Sequence, residues 1–571
     1  MANSRICVYI AIITGLMILM SCSEAEPPGK MEVGANSNLA AHSEEFQQEV
    51  INVTDGVYVA VGFGLANSIL LEGDDGVVIV DTMESAEAAI PVKTAFNKIT
   101  AKPVKAIIYT HYHADHINGA KVMAGKDTPK IFSHESTQYY LNRIATITRE
   151  TTYRRAMRQF GTLLPEGGVI NAGIGPYLKF DENNTIALLT PTDTFSTERL
   201  EVEIAGIKMI LLHAPGETPD QIVVWLPEKK VLLPADNFYK SFPNLYAIRG
   251  TAYRDVILWV NSLDKMRKLR AEYLVPCHSR PIKGADKIYE ALTNYRDAIQ
   301  FVHDQTIRLM NEGLTPQEIV EQVKLPRHLA RQPYLHEYYG TVQWSVRAIF
   351  DGYLGWFGGN ATDLFPLSLK DRAHRFAELA GGKEALIEHA KKAVAGEDFQ
   401  WALELTDQLL QLNPDSSEIR ELKATALNGL GKTQIAATAR NYYLTQALEV
   451  QNKLHIGVMK INQKDIVHSL SLEDIFNAMT VKLNPEKSTE VDTIAGFRFP
   501  DTGQAFTVHV RRGVAEIRPE IPENPDLVIT VDSNVWKEVA AGMRNPTIAF
   551  FKDMDKEGGL LKLMKFLNLF K

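Results

Sequence analysis

The sequence predicts an α/β sandwich, followed by an all-helical region and then a smaller α+β domain. Three observations predict this order. Residues 52–82 break into short β-rich runs separated by glycine, and residues 86–99 and 104–109 add an amphipathic helix and an apolar strand. The pattern turns helical after about residue 278 and alternates again after about residue 465. At 571 residues the chain also exceeds the roughly 250–300 residues over which one core grows, so several domains are expected.

The N-terminus stands apart from these elements. Arg5 precedes an apolar run over 6–20, which ends at Leu19-Met20-Ser21-Cys22 and gives way to a polar stretch with Pro27, Pro28 and Gly29. This run is shorter than the roughly 20 residues a spanning helix needs, and its layout is that of a secretory signal. The tetrad resembles a bacterial lipobox, which implies lipidation of Cys22, an exported bacterial lipoprotein in the periplasm or at the outer membrane, and a flexible tether after the cysteine. Residues 1–22 are therefore read as a signal peptide and 23–45 as a linker. The three cysteines are Cys7, Cys22 and Cys277. The mature body then has no intramolecular disulfide and depends on packing and metal. Cys277 reads as a small buried residue.

Within the first large domain the strand-like runs are 57–61, 68–71 and 77–80, with a turn at 73–76. Further runs follow at 186–189, 200–204, 208–212, 221–226 and 230–233. Residues 289–430 are largely helical, and Gly396 to Ala402 with Leu412-Asn413-Pro414-Asp415 resembles tetratricopeptide hairpins. In the last region strands are expected at 497–500, 505–511, 514–518 and 526–531, with Arg512-Gly513 as a turn and helices over 471–483, 533–542 and 560–570. The final helix leaves only Lys562, Lys565 and Asn568 polar, and it is expected to pack into a core. A net charge of −8 gives no basic surface for nucleic acid.

The chemistry gathers at Thr110-His111-Tyr112-His113-Ala114-Asp115-His116, directly after an apolar strand. Three histidines and an aspartate in six residues are hard to bury without a metal. His111 and His113 alternate onto one side of an extended segment and can hold one ion, while Asp115 and His116 lie past the bend and can serve a second.

This H-x-H-x-D-H run resembles the signature of the metallo-β-lactamase superfamily, whose fold is an αββα sandwich. The superfamily's next motif, Gly-His-Thr-Pro-Asp, reads Gly216-Glu217-Thr218-Pro219-Asp220 here, with glutamate in the histidine's place. Leu233-Pro234-Ala235-Asp236 supplies the bridging carboxylate, and Val275-Pro276-Cys277-His278 the final ligand. The glutamate points to the alkylsulfatases, the type III sulfatases, as do Asn244-Leu245-Tyr246, Arg249-Gly250, Arg254-Asp255, Glu337-Tyr338-Tyr339-Gly340 and Tyr353-Leu354-Gly355-Trp356-Phe357.

That resemblance implies a catalytic domain over 46–325, a helical dimerisation domain over 326–455 and a sterol-carrier-protein-like domain over 456–571. It also implies a homodimer and two zinc ions per monomer. His111, His113 and Glu217 would hold the first ion, Asp115, His116 and His278 the second, and Asp236 both. A water shared by the ions would become a hydroxide nucleophile near neutral pH. Asn244, Arg249 and Arg254 are the candidate sulfate contacts, and Asp81, at a strand end, would orient a ligand. Three features depart from the family: Asp236 replaces its usual glutamate, Phe238-Tyr239-Lys240-Ser241-Phe242 replaces a histidine-rich run, and Arg254 stands where a histidine occurs. The implied reaction is hydrolysis of an amphiphilic alkyl sulfate to alcohol and sulfate. Hydrolysis of another ester, lactone or lactam is the alternative, and a non-catalytic lipid-binding lipoprotein is the third reading.

Overall fold

The computed structural model describes residues 31, 33–458, 464–557 and 559–570. The expected signal, with Cys7 and Cys22, lies outside them. Among the described residues no helix is long and apolar enough to cross a membrane.

The first domain is two sheets packed face to face with helices outside. Strands Glu49–Thr54, Val57–Val61, Ser68–Glu72 and Val77–Val80 meander antiparallel, and Val104–Ile108, Lys130–His134 and Asp193–Phe195 extend the sheet in parallel. The second sheet contains Arg199–Ile204, Ile207–His213, Ile222–Leu226, Val231–Leu233, Tyr273–Leu274 and Ile282–Lys283. Strand side chains alternate between faces. Val59, Ile69 and Val80 therefore meet Leu211, Val224 and Leu233 between the sheets. Ala60, Leu70 and Ile79 turn outward under helix Ala86–Phe96. On the opposite side Val223, Trp225 and Leu232 lie beneath helices Val256–Lys268 and Ala285–Asn311. Burial on both faces explains why the central strands Ser68–Glu72, Val77–Val80 and Ile222–Leu226 read as apolar runs, whereas the edge strand Arg199–Ile204 is exposed at alternate residues.

The expected strand at 186–189 does not form. That segment runs over the outer helical layer, where Ala187 donates to the Asn118 carbonyl at 2.6 Å and Leu189 exchanges hydrogen bonds with Tyr109 Oη at 2.9 and 3.2 Å. Its apolar side chains cover a core, but no neighbouring strand is available.

Helices Leu369–Leu379, Lys383–Ala395, Phe399–Leu412, Ser417–Thr433 and Ala437–Val450 form the helical region. The last is tied to the first domain by Arg158, which donates from Nε and Nη2 to Glu449 at 2.7 and 2.9 Å. Between Val342–Leu354 and Leu369–Leu379 the chain is almost wholly exposed, including Trp356 at 72% and Phe365 at 96%. The C-terminal domain is a five-stranded sheet in the order Val514–Arg518, Gln504–Arg511, Asp492–Phe499, Leu527–Val531, Met554–Glu557. Helices Leu472–Thr480, Ser533–Ala540 and Leu560–Asn568 cover it, and Leu563 and Phe566 of the last point into the core. Arg512 and Gly513 form the expected turn, both with positive φ.

Candidate metal centre

The seven candidate donors stand at one rim of the sandwich, on turns that leave strands of both sheets. Thr110 and His111 continue the apolar strand Val104–Ile108, His113 caps the short helix Ala114–Ile117, and Asp115 and His116 lie within that helix. From the second sheet, Glu217 follows strand Ile207–His213, Asp236 follows Val231–Leu233 and His278 follows Tyr273–Leu274.

Neighbouring groups fix these turns. Asn237 donates to the Ala214 carbonyl at 2.8 Å, joining the Asp236 turn to the Glu217 turn, and a Cβ on Gly216 would lie 2.0 Å from Asn237 Oδ1. Only glycine fits that approach. Across the sandwich, Asn67 donates to the carbonyls of Pro276 and Ser279 at 3.1 and 2.8 Å, pinning the His278 turn to the first sheet.

Around these turns the donors fall into two groups whose ligand atoms all lie within 4.8 Å of one another: His111, His113, Asp236 and Asp115, His116, His278. His116 Nε2 is 3.3 Å from Asp115 Oδ2 and 3.5 Å from Asp236 Oδ1, and His278 Nε2 is 3.3 Å from Asp236 Oδ2. Tetrahedral zinc with bonds of about 2.0–2.2 Å separates its ligand atoms by about 3.3–3.6 Å. The pairs around His116 and His278 match that spacing, while His111 Nε2 stands 2.9 Å from His113 Nδ1 and 3.7 Å from Asp236 Oδ2.

The remaining ring nitrogens set the tautomers. His116 Nδ1 faces Asp81 Oδ2 at 2.7 Å and His278 Nδ1 faces the Leu65 carbonyl at 2.9 Å. Both partners only accept, so Nδ1 carries the hydrogen and Nε2 offers its lone pair to the centre. Thr110 Oγ1 donates to Asp81 Oδ2 at 2.9 Å and accepts from His111 Nδ1 at 3.0 Å, with the same result for His111. Asp81 takes further hydrogen bonds from the Thr110 amide at 2.9 Å and from Cys277 Sγ at 3.0 Å. Asp81 is fully buried at φ 58°, a region where aspartate is among the few residues tolerated. Its expected role as an orienter and the expected burial of Cys277 both appear in this arrangement.

Electrostatics agree with a cation site. Burial pushes His111 down to about 3, helped by the charge of His116, and pushes His113 well down. Burial opposes charge on His116 as well, but Asp236, Asp115 and Asp81 overcome it and hold the ring protonated. His116 in turn holds Asp115 at about 2 against the effect of burial. His116 Nε2, His278 Nε2, Asp236 Oδ1 and Glu217 Oε2 are all buried with no hydrogen-bond partner. Buried polar atoms left without partners in one place are costly, and this donor set fits divalent ions, whose binding would release the protons.

Glu217 stands beside these two groups, and Arg254 and Asn244 depart from the expected substrate contacts. Glu217 belongs to neither tight group. Its Oε1 is held at 2.9 Å by Arg254 Nη1, whose side chain is 2% exposed. Arg254 is therefore engaged with this carboxylate and does not line the cavity. Asn244 is buried behind the wall, its amide donating to Tyr239 Oη at 2.8 Å and its carbonyl accepting from Arg254. Only Arg249 of the three faces the cavity, with Nη2 2.9 Å from His113 Nε2.

The cavity, about 210 Å³, opens from His113, Asp115, Asp236 and Arg249 and runs between apolar side chains to Leu470 of the C-terminal domain. Much of its wall is helix Arg149–Phe160, which presents Tyr153, Met157 and Phe160. That helical spacing was legible but carries no chemistry of its own, so the sequence did not mark it.

Family models match in three consecutive segments: the metallo-β-lactamase superfamily over residues 61–278, alkyl sulfatase dimerisation over 315–453 and alkyl sulfatase C-terminal over 460–571. The chain is 38% identical over 521 residues to a linear primary-alkylsulfatase of a Pseudomonas species, covering 88% of this chain and 98% of that one. It is 29% identical to an alkyl/aryl-sulfatase of Saccharomyces cerevisiae, covering 91% and 82%. The solved structure of a stereoselective inverting sec-alkylsulfatase from Pseudomonas superposes with a TM-score of 0.86 at 26% identity, covering 96% and 88%. With its sandwich, its rim of histidines and carboxylates and this match along nearly its whole length, the chain belongs to the alkylsulfatase family of the metallo-β-lactamase superfamily.

Proposed function

We propose that this protein is a zinc-dependent hydrolase that cleaves alkyl sulfate esters to an alcohol and inorganic sulfate. The observation that carries the reading is the junction of two environments: a donor set fit for two divalent ions opens directly into an apolar cavity, with Arg249 at the boundary. An alkyl sulfate has the same two parts. In this reading His111, His113 and Glu217 hold one zinc, Asp115, His116 and His278 the other, and Asp236 joins them. Zinc bound there supplies Lewis acidity and an acidified water.

The chain's own groups do the rest. Arg249 presents paired donors to the sulfate oxygens. The walls at Met157 and Phe160 take the alkyl tail at about 0.8 kcal/mol for each methylene removed from water. Asp81 keeps His116 turned to the centre. The homodimer follows from the match to the dimerisation family and the exposed apolar stretch around Trp356 and Phe365, which a second copy would cover. Export and lipidation at Cys22 complete the proposal.

The test is zinc content together with hydrolysis of dodecyl sulfate, dodecyl phosphate and a chromogenic lactam. About two zinc ions per chain and turnover of the sulfate alone are expected, and His113→Ala should lose metal and turnover together. Preference for the phosphate or the lactam would overturn the substrate class.

A further inference from the structure

Arg254 and Glu217 form a buried pair that the metal centre does not need for its geometry alone. Arg254 Nη1 is 2.9 Å from Glu217 Oε1, and the two side chains are 2% and 3% exposed. The same guanidinium donates to the Asn244 carbonyl, so its position is set by backbone. Arg254 Nε and Nη2 have no hydrogen-bond partner, and neither does Glu217 Oε2. The pair is thus one-sided. One carboxylate oxygen is committed to the cation, and the other is bare in the wall that also carries His113, Asp115 and Asp236.

Charge explains why both residues are present. A neutral imidazole in the position of Glu217 would add nothing to the charge of the centre. A carboxylate adds one negative charge, and a guanidinium fixed against it removes that charge again. We propose that Arg254 is the counter-charge and positioning partner of Glu217, so that the two side chains together stand in for one neutral ligand of the first metal. Arg254 leaves Oε2 as the single free donor and prevents the carboxylate from turning both oxygens to the ion. This rests on the reading of Glu217 as a ligand, and it alters one consequence of that reading: the glutamate does not by itself make the first metal a weaker Lewis acid.

The inference makes replacement at one position depend on the other. Glu217→His alone leaves an unpaired guanidinium buried beside two divalent cations, whereas Glu217→His with Arg254→Met removes the pair as a unit. Four full-length proteins, the wild type, both single variants and the double variant, are compared by zinc affinity against a chelator and by melting temperature with and without zinc. Glu217→His should bind zinc at least tenfold more weakly than wild type, and the double variant should recover to within about threefold. Arg254→Met should melt lower than wild type mainly when zinc is absent, because bound zinc can supply the counter-charge in place of the guanidinium.

Glu217→Gln replaces Glu217→His if the latter does not accumulate, since it also strands Arg254. Additive effects on affinity in a wild type that binds zinc would overturn the pairing and leave the metal reading intact. A wild type that takes up no zinc would overturn the metal reading. The zinc-free melting temperatures of the same four proteins then decide the pairing: coupling supports the ion pair, and additivity ends it.

Discussion

Asp81 stands outside the seven candidate donors and reaches them through His116 and Thr110, yet it accepts four hydrogen bonds at the end of its strand, from the Thr110 amide and hydroxyl, His116 Nδ1 and Cys277 Sγ. Replacing it with asparagine preserves shape and suits the positive φ, so backbone strain does not enter. The amide must place its NH₂ group on one side. On the Oδ2 side it would face three donors, so it turns to the Oδ1 side and strands the Thr110 amide, at about 2 kcal/mol. Asp81→Ala strands that amide and the His116 Nδ1 hydrogen together, at about 4 kcal/mol.

His116 also loses the carboxylate that fixes its ring, a loss worth about 10–100-fold in metal affinity at comparable sites. Chelator competition should therefore show zinc binding at least about tenfold weaker in Asp81→Asn. Melting should fall by about 5 °C in that variant and by about twice as much in Asp81→Ala. Wild-type zinc affinity in Asp81→Asn would refute the claim that this carboxylate orients the ligand.

Other perturbations probe separate parts of the molecule. Ala145 lines both the catalytic cavity and a second apolar cavity in the C-terminal domain. Ala145→Trp should displace about two methylenes of a long tail and lower kcat/KM for dodecyl sulfate about tenfold, with hexyl sulfate nearly unaffected; equal losses for both would place the tail elsewhere. His42 stacks on Tyr338 at 3.9 Å, and burial pushes its pKa down from 6.5 to about 4. The folded ring stays neutral where the unfolded ring takes a proton, so its contribution is intact above pH 6.5 and falls by about 3 kcal/mol as pH drops to 4. Melting of His42→Gln should accordingly depend less on pH across that window than melting of the wild type. Cys22→Ala should move the protein from the membrane fraction to the soluble one, and an unchanged distribution would argue against lipidation.

What the sequence disclosed follows from how local each signal is. His111 to His116 were legible because four donors lie within one turn and the strand before them. The central strands were legible because they are buried on both faces and read as apolar runs. The segment 186–189 misled for the same reason: Ile186 and Leu188 are apolar because they cover a helical core, and local pattern cannot tell that from a sheet. Arg254 was placed at the substrate because a guanidinium presents paired donors to an oxyanion. Its actual partner, Glu217, lies on another turn, and only the fold brings the two together. Asn244 likewise uses its backbone to hold Arg254 and Tyr239, and it does not line the cavity.

The donors leave strands of both sheets, and this imposes an order of events on synthesis. His111, His113, Asp115 and His116 emerge first, Glu217 and Asp236 later, and His278 last. At roughly 5–20 residues per second the delay between His116 and His278 is on the order of ten seconds. During it the early histidines can hold a passing cation only loosely, because the carboxylate that joins the two groups and the final imidazole have yet to appear. A captured ion can therefore exchange freely until the second sheet docks. A metal that needs donors from both sheets would be retained only once the second sheet has docked.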